Sequence, residues 1–542
     1  VNLYNNVENN ANLTIDNVKL NLANGTIDTR AFGIITAQDG AKLDVDIDLT
    51  NGVADKITSS GTSTGTILLE PIYKGTQTDL SKKYQILNLA SGSTLQLALS
   101  NDVAVIDILS TLTNTVKNTD SFVQKQGAML STTNTTNDSI TYFIAHTYDA
   151  LVLLNQKETT EERNFNFVDG STYTLLEDLG TTSTGTLNIN GMTDGSTIDF
   201  NNNQGFTIGD NTTLNISNIT FIGEKSETGS IITANTGSTA NLENVTLGVN
   251  AETGISNAGS LNFKGDNNLN TSITGTTGAI TIANGTTTIA DNSTIEGVIS
   301  VATPATLSTS ASGLLSDVTN AGSLNLTGGI LSNTVSGTGA TNILGSVTAN
   351  ANINQDINIA ETKDLTSSAD YLGGAITNAG SLNLTGGTLS NDVSGAGVTN
   401  ILGSVTANAN INQDINIAET KDLTSSADYL GGAITNAGSL NLTGGTLSNA
   451  VSGSGVTNIL GSVTANANIN QDINIAETKD LTSSADYLGG AITNAGSLKL
   501  TGGTLSNAVS GAGATNILGS VTANANINQN INIAETKDLT SS

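Results

Sequence analysis

The chain has 542 residues, of which 37% are hydrophobic, 3% aromatic and 12% charged, with 58 Gly, 2 Pro, no Cys and no Trp. A globular enzyme of this length carries more aromatic and charged residues, and without cysteine there are no disulfides and no thiol or cysteine–zinc chemistry. The formal net charge is −29 and the arginines are Arg30 and Arg163 alone, which leaves no basic patch for nucleic acid or an anionic membrane.

Residues 1–163 read as an irregular β-rich module that ends one solenoid segment. Leu13-Thr14-Ile15, Leu20-Asn21-Leu22 and Gly33-Ile34-Ile35 have the alternation of short strands. Leu43-Asp44-Val45-Asp46-Ile47-Asp48-Leu49 alternates aliphatic with acidic and runs into the turn dipeptide Asn51-Gly52. Its three carboxylates share one face. A calcium loop would want Gly where Leu49 stands, so the reading is a solvated strand face. Residues 103–126 read either as a helix, with Ile106, Leu109, Leu112 and Val116 near one side, or as further strands. Residues 155–163 (NQKETTEER) form a charged cluster of the kind found in solvated loops and mark a boundary.

Residues 164–318 restart the strand pattern as irregular coils. Gly209-Asp210-Asn211-Thr212-Thr213-Leu214-Asn215-Ile216-Ser217-Asn218-Ile219-Thr220-Phe221 alternates with Leu214, Ile216 and Asn218 on one parity. All nine Phe lie at or before Phe263.

Residues 319–542 are tandem copies of one unit. Ala321-Gly322, Ala379-Gly380, Ala437-Gly438 and Ala495-Gly496 open successive copies 58 residues apart, the last truncated. Copies differ at a handful of places, among them Thr334/Asp392/Ala450/Ala508 and Asn441/Lys499. Recent duplication explains this near-identity better than selection for a site. From 401 to 417 the odd positions (Ile401, Gly403, Val405, Ala407, Ala409, Ile411, Gln413, Ile415, Ile417) alternate with Ser, Thr, Asn and Asp, the period of a strand with one face buried. Regular aliphatic alternation sets the segment apart from a disordered low-complexity tract. Such a unit cannot bury its apolar face alone and must stack on its neighbours. The expectation is an all-β parallel β-helix. With three coils to a unit a coil has about 19 residues, and the whole chain stacks into a rod on the order of 130 Å. The Asn-rich face is expected to form amide ladders.

Reactive groups are scarce. His146 is the one histidine, so no metal cluster or His-based triad is available. GxGxxG spacings arise from composition, with no strand-to-helix crossover behind them. Asp370, Tyr371 and Lys363 recur in each copy and are the nearest approach to a polar group; a catalytic site repeated along a rod is not expected, and they read as surface loops. Asn-x-Ser/Thr triplets such as Asn12-Leu13-Thr14 and Asn383-Leu384-Thr385 follow from the abundance of those residues. No catalytic, cofactor-binding or metal residue is assigned. No run of 18 apolar residues is present. The chain opens at Val1 without a leader and stops at Ser542 inside a repeat, and it reads as a piece of a longer protein.

The segment Phe206-Thr207-Ile208-Gly209-Asp210-Asn211-Thr212-Thr213-Leu214 and its continuation to Phe221 resembles coils of autotransporter passenger domains and polymorphic outer-membrane proteins. Gly374-Ala375-Ile376-Thr377-Asn378-Ala379-Gly380-Ser381-Leu382-Asn383-Leu384-Thr385 resembles the same class, as do residues 43–61 followed by Tyr84-Gln85-Ile86-Leu87-Asn88. The resemblance implies a right-handed parallel β-helix exported to the surface of a Gram-negative bacterium. It would act there as a non-catalytic, monomeric adhesin-like stalk meeting a host or cell-surface protein or glycan, and would be tied to the outer membrane through a C-terminal barrel that this chain lacks. Two other β-helical roles compete: a polysaccharide-active enzyme, and a trimeric phage tail spike or fibre.

Overall fold

The structure, a computed structural model, describes residue 254 onward without interruption. Before it, residues 7–8, 10–48, 50–74, 84–99, 105–107, 120–125, 128–135, 139–146, 151, 162–167, 172–175, 178–182, 184–191, 195–200, 202–223 and 230–248 are described. The chain divides into two compact units, Val1–Ser293 and Thr294–Ser542. Both are all-β, and both are built of parallel coils stacked as a β-helix.

In the first unit Arg30 pairs with Ile57 and Ile57 with Leu87, so one coil spans 30–57 and the next, slightly longer, spans 57–87. An antiparallel meander interrupts the parallel order. Asp120–Lys125 pairs with Ala128–Thr135, which pairs with Ser139–His146, which lies against Tyr84–Ala90. Within 103–126 the helix alternative gives way at both ends: Val105–Asp107 and Asp120–Lys125 are strands paired antiparallel, Val105 opposite Val123. β-Branched and aromatic residues favour the extended chain there. The rest of 103–126 lies outside the described residues.

Parallel coils resume at Glu162–Phe167. Leu187 pairs with Leu214, Leu214 with Ala240, Ala240 with Leu261, and Leu261 with Ile280, so the coil shortens progressively from 187–214 to 261–280. Phe165, Tyr173, Phe200, Phe206, Phe221 and Phe263 are buried inside these coils. Phe165 meets Tyr173 edge-on with centroids 5.2 Å apart, and Phe200 lies 5.6 Å from Phe221. The alternating run 209–221 is two strands, Thr212–Ser217 and Ile219–Ile222, joined by a corner at Asn218. Asn218 has φ 54°, a conformation Asn tolerates better than most residues, and the corner puts Ile219 and Phe221 inside along with Leu214 and Ile216.

The second unit carries the repeats, and its register refines the coil expected for them. The copy that starts at Ile376 contains ten rungs: Ile376–Asn378, Ser381–Leu384, Gly387–Leu389, Val393–Ser394, Val398–Ile401, Ser404–Ala407, a bridge at Ile411, Asp414–Ile417, Asp422–Ser425 and a bridge at Leu430. Each rung pairs with the third one after it. Leu382 pairs with Thr399, Thr399 with Ile415 and Ile415 with Ile434. A coil is therefore three rungs, as in 382–399, 399–415 and 415–434, and the interior is a narrow triangle. Ten rungs are three coils and one face more. Ile434, the first residue of the next copy, consequently joins the face that holds Leu382, one face on from Ile376. Every copy is turned by a third of a turn from the one before.

The alternation of 401–417 is borne out in burial: Ile401, Val405, Ala407, Ala409, Ile411, Gln413, Ile415 and Ile417 are all buried. Gly403 is instead half-buried at a corner, where a Cβ would stand 1.8 Å from the Thr385 carbonyl oxygen of the coil below. Only glycine fits so close an approach. The one regular alternation spans several corners, since each corner consumes an even number of residues and leaves the parity unchanged.

Amide ladders form, along one column of each copy. Asn416 Nδ2 donates to Asn400 Oδ1 at 3.0 Å, Asn400 Nδ2 to Asn383 Oδ1 at 2.8 Å, and Asn383 Nδ2 to Thr366 Oγ1 at 3.2 Å. The first unit has its own ladder, in which Asn262 donates to Asn241, Asn241 to Asn215 and Asn215 to Asn188, at 2.6–2.8 Å. Stacked identical amides let each carbonyl accept from the amide of the next coil.

Candidate functional site

Among the described residues, two recurring surface features and one buried charge cluster gather polar side chains. At one corner of the repeat array the turn at 361–363 stacks with the tight turns that carry Gly380 and Gly397. The result is an open groove of about 520 Å³ bordered by Glu361, Lys363, Asp364 and Asp414. The same groove, about 510 Å³, recurs in the next copy with Glu419, Asp422 and Asp472. Its aspartates are engaged in holding the coils. Asp364 Oδ2 accepts from Ser346 Oγ at 3.1 Å and Asp414 Oδ1 from the Ala433 N–H at 3.1 Å. Asp422 and Asp472 repeat these bonds with Ser404 and Ala491.

The structure does not bring Asp370, Tyr371 and Lys363 together. Lys363 stands before the strand Asp364–Ser367, and Asp370 and Tyr371 follow it on the 3-10 turn Ala369–Tyr371. Asp370 Oδ1 accepts from the Thr388 N–H of the next coil at 2.7 Å, as Asp428 does from Thr446. Tyr371, Tyr429 and Tyr487 are exposed. His146 ends the strand Ser139–His146, its backbone opposite Ala128.

Sequence reasoning places no weight on the polar residues that the repeats bury completely. Asn378 is enclosed, with Nδ2 donating to the Val398 carbonyl at 3.0 Å and Oδ1 accepting from the Gly380 N–H at 3.0 Å. Thr399 is enclosed as well, its hydroxyl bonded to the Gln413 amide. The signal is present in the sequence: Gln413 occupies an inward position of the alternation, and Asn378 precedes the Ala-Gly turn in every copy.

The acidic strand of the first unit is not the solvated face it reads as. In Lys42–Asp48, Asp44 and Asp46 are buried, Asp46 at 1% exposure. The parallel strands Lys19–Asn21 and Thr66–Lys74 flank it and supply the lysines that cover it. Lys74 Nζ lies 2.8 Å from Asp46 Oδ1; Lys19 Nζ lies 3.1 Å from Asp44 Oδ1 and also pairs with Glu70. Burial pushes Asp44 above the usual carboxylate range, and the hydrogen bond from Lys19 is the main cause that holds Glu70 down at about 2. Deeper in, Asp55 is fully enclosed. It accepts the backbone N–H groups of Asp28 at 2.6 Å and Asp46 at 2.7 Å, and burial raises it to about 6. Arg30, itself buried, reaches Asp28 at 3.2 Å. Arg163 departs in the same way from the solvated loop read at 155–163: it is buried in the strand Glu162–Phe167, its Nη2 3.4 Å from the Thr184 carbonyl, and burial lowers its pKa. Residues 155–161 lie outside the described residues.

Among the described residues, no group of three or more His, Cys, Asp or Glu could hold a metal ion, and no helix is long and apolar enough to cross a membrane. The fold places the chain in the class of parallel β-solenoids. No family model matches it, and neither a curated protein nor a solved structure matches it at a significant level.

Proposed function

We propose that the chain is a non-catalytic display scaffold, a repetitive β-helical passenger exported to a bacterial cell surface that presents or forms a contact surface for a host or neighbouring cell. One observation carries the reading. Three aspartates that recur at the surface of the repeats, Asp364, Asp370 and Asp414, each bond to a neighbouring coil, so the copying has preserved bonds that hold coil to coil. The acidic balance agrees with a solvated, extended surface, and the resemblance to autotransporter passengers and polymorphic outer-membrane proteins supports the same role.

The test is adhesion. Beads coated with the purified chain are expected to adhere to some members of a panel of host cells and glycan arrays more than beads coated with an unrelated acidic protein. Release of reducing ends from any of a panel of polysaccharides would replace this reading with the carbohydrate-active enzyme. A trimer in sedimentation equilibrium would favour the tail spike or fibre.

A further inference from the structure

We infer that the number of repeats sets the direction in which everything beyond them faces, each copy added or removed turning the distal part by a third of a turn about the stacking axis. The inference rests on strand register and not on the proposed surface role. A rung stacks on the third rung before it, a copy supplies ten, and ten exceeds a multiple of three by one. The copies are interchangeable at their junctions: removal of residues 376–433 joins Ala375 to Ile434 and recreates the Ala433–Ile434 bond. Inward residues keep their neighbours, because Leu440 then follows Leu365 as Leu382 does now. The array therefore shortens by three coils and one face.

Any feature carried by the unit winds around the array in the same way. The turns at 361–363, 419–421 and 477–479 stand at three different corners, and 535–537 returns to the first. The grooves at Asp414 and Asp472 open at adjacent corners. A feature found in one copy marks one face: Lys499, where other copies have Asn, pairs with Asp480 at 3.2 Å. A straight partner lying along one side would meet equivalent grooves only at every third copy. Gain or loss of a single copy changes reach and facing together, whereas a change of three copies alters reach alone.

The chain has no cysteine, so spin labels can be placed without background. Cysteine replaces the exposed Glu361 together with one of its equivalents, Glu419, Glu477 or Glu535, in the full chain. With coils ~4.8 Å apart and a side of ~19 Å, the expected separations are ~25, ~37 and ~48 Å for one, two and three copies. An array whose copies all faced one way would give ~16, ~32 and ~48 Å. The Glu361→Cys/Glu535→Cys chain is then measured after removal of residues 376–433 and of 376–491. A fall to ~37 and then to ~25 Å is the expected result. A fall to ~32 and ~16 Å overturns the inference. The undeleted pairs decide the register even if a deletion chain fails to fold.

Discussion

The coils that follow Glu162 and the coils of the repeats solve one problem at two sizes. At 27 residues the coil between Leu187 and Leu214 has a perimeter on the order of 90 Å, against about 57 Å for a 17-residue coil of the repeats. The wide coils fill their interior with Phe165, Phe200, Phe206 and Phe221, the narrow ones with Ile, Leu, Val and Ala. Coil size thus decides which side chains a β-helix can use. It explains why the phenylalanines stop at Phe263, where the coil has shortened to the span 261–280, and why the tyrosines of the repeats stand outside. Close backbone approach at glycine is common to both sizes: a Cβ on Gly205 would stand 2.0 Å from the Ile231 carbonyl oxygen, as one on Gly403 would stand 1.8 Å from that of Thr385. The uniform coil of the repeats permits an identical unit to be copied, because each coil meets a neighbour of its own cross-section.

Core substitutions are the strongest way to break this comparison. Phe221→Ala empties the wide interior and is expected to cost about 3–5 kcal/mol in urea denaturation. The reverse change should discriminate more sharply. Leu440→Phe overfills a narrow coil and is expected to cost about 1–3 kcal/mol, while Leu214→Phe, in a wide coil, should cost less. Equal losses at the two positions would mean that coil size does not limit the core.

The buried carboxylates of the first unit give the next effect. They have no counterpart in the repeats, whose buried polar residues are uncharged: Asn378, Thr399, Gln413, Ser425 and their equivalents. Asp55 has its folded pKa raised to about 6 from an ordinary 3.8. Between these values the folded state binds more protons than the unfolded one, so stability falls as pH rises through the interval and levels off above it. The full difference amounts to roughly 2–3 kcal/mol. Asp44, also raised, acts in the same direction; Glu70, lowered to about 2, contributes stability that is lost only as pH falls below its ordinary value of 4.5. Unfolding of the first unit should therefore need more urea at pH 5 than at pH 7, and Asp55→Asn should flatten that slope. The signal of Tyr371, Tyr429 and Tyr487, isolated by replacing the first unit's tyrosines with Phe, should not follow the same trend.

Much of this architecture is legible in the sequence, and the part that is not has a physical origin. Period-two alternation reports the inward residues of 401–417, Gly403 apart, because the corners within that stretch preserve parity. For the same reason it conceals the corners, and with them the ten-rung count that turns each copy. At Asn218 the corner changes parity, and nothing in the spacing of Leu214 and Ile216 reveals it. The acidic strand at 44–48 defeats a local reading because its lysines, Lys19 and Lys74, are distant in sequence and meet it only through parallel pairing. The groove at Glu361 and Asp414 joins residues three coils apart, which no local pattern can indicate.

Two asparagine positions separate the roles that one residue type serves in the repeats, and they give the smaller effects. Asn436 is enclosed and bridges the Val456 carbonyl and the Gly438 N–H, both at 3.0 Å. Asn436→Leu strands both partners and should cost about 1–3 kcal/mol. Asn458 lies on the outer ladder between Asn441 and Asn474, at 2.8 and 3.0 Å. Water can replace what Asn458→Ala removes, so its loss should stay within about 0.5–1 kcal/mol. The fourth copy already carries Lys499 at the ladder position held by Asn441 in the third. There Asn516 keeps a bond to Ser497 Oγ at 2.8 Å, the one Asn400 makes to Ser381 at 3.0 Å in an intact ladder, and Asn532 still donates to Asn516 at 2.9 Å. A ladder that keeps its remaining bonds when one rung is replaced is not a chain of indispensable ones. If Asn458→Ala nevertheless destabilised the array as much as Asn436→Leu, the outer amides would be acting cooperatively, and the narrow coils would owe their stability to their surface as much as to their core.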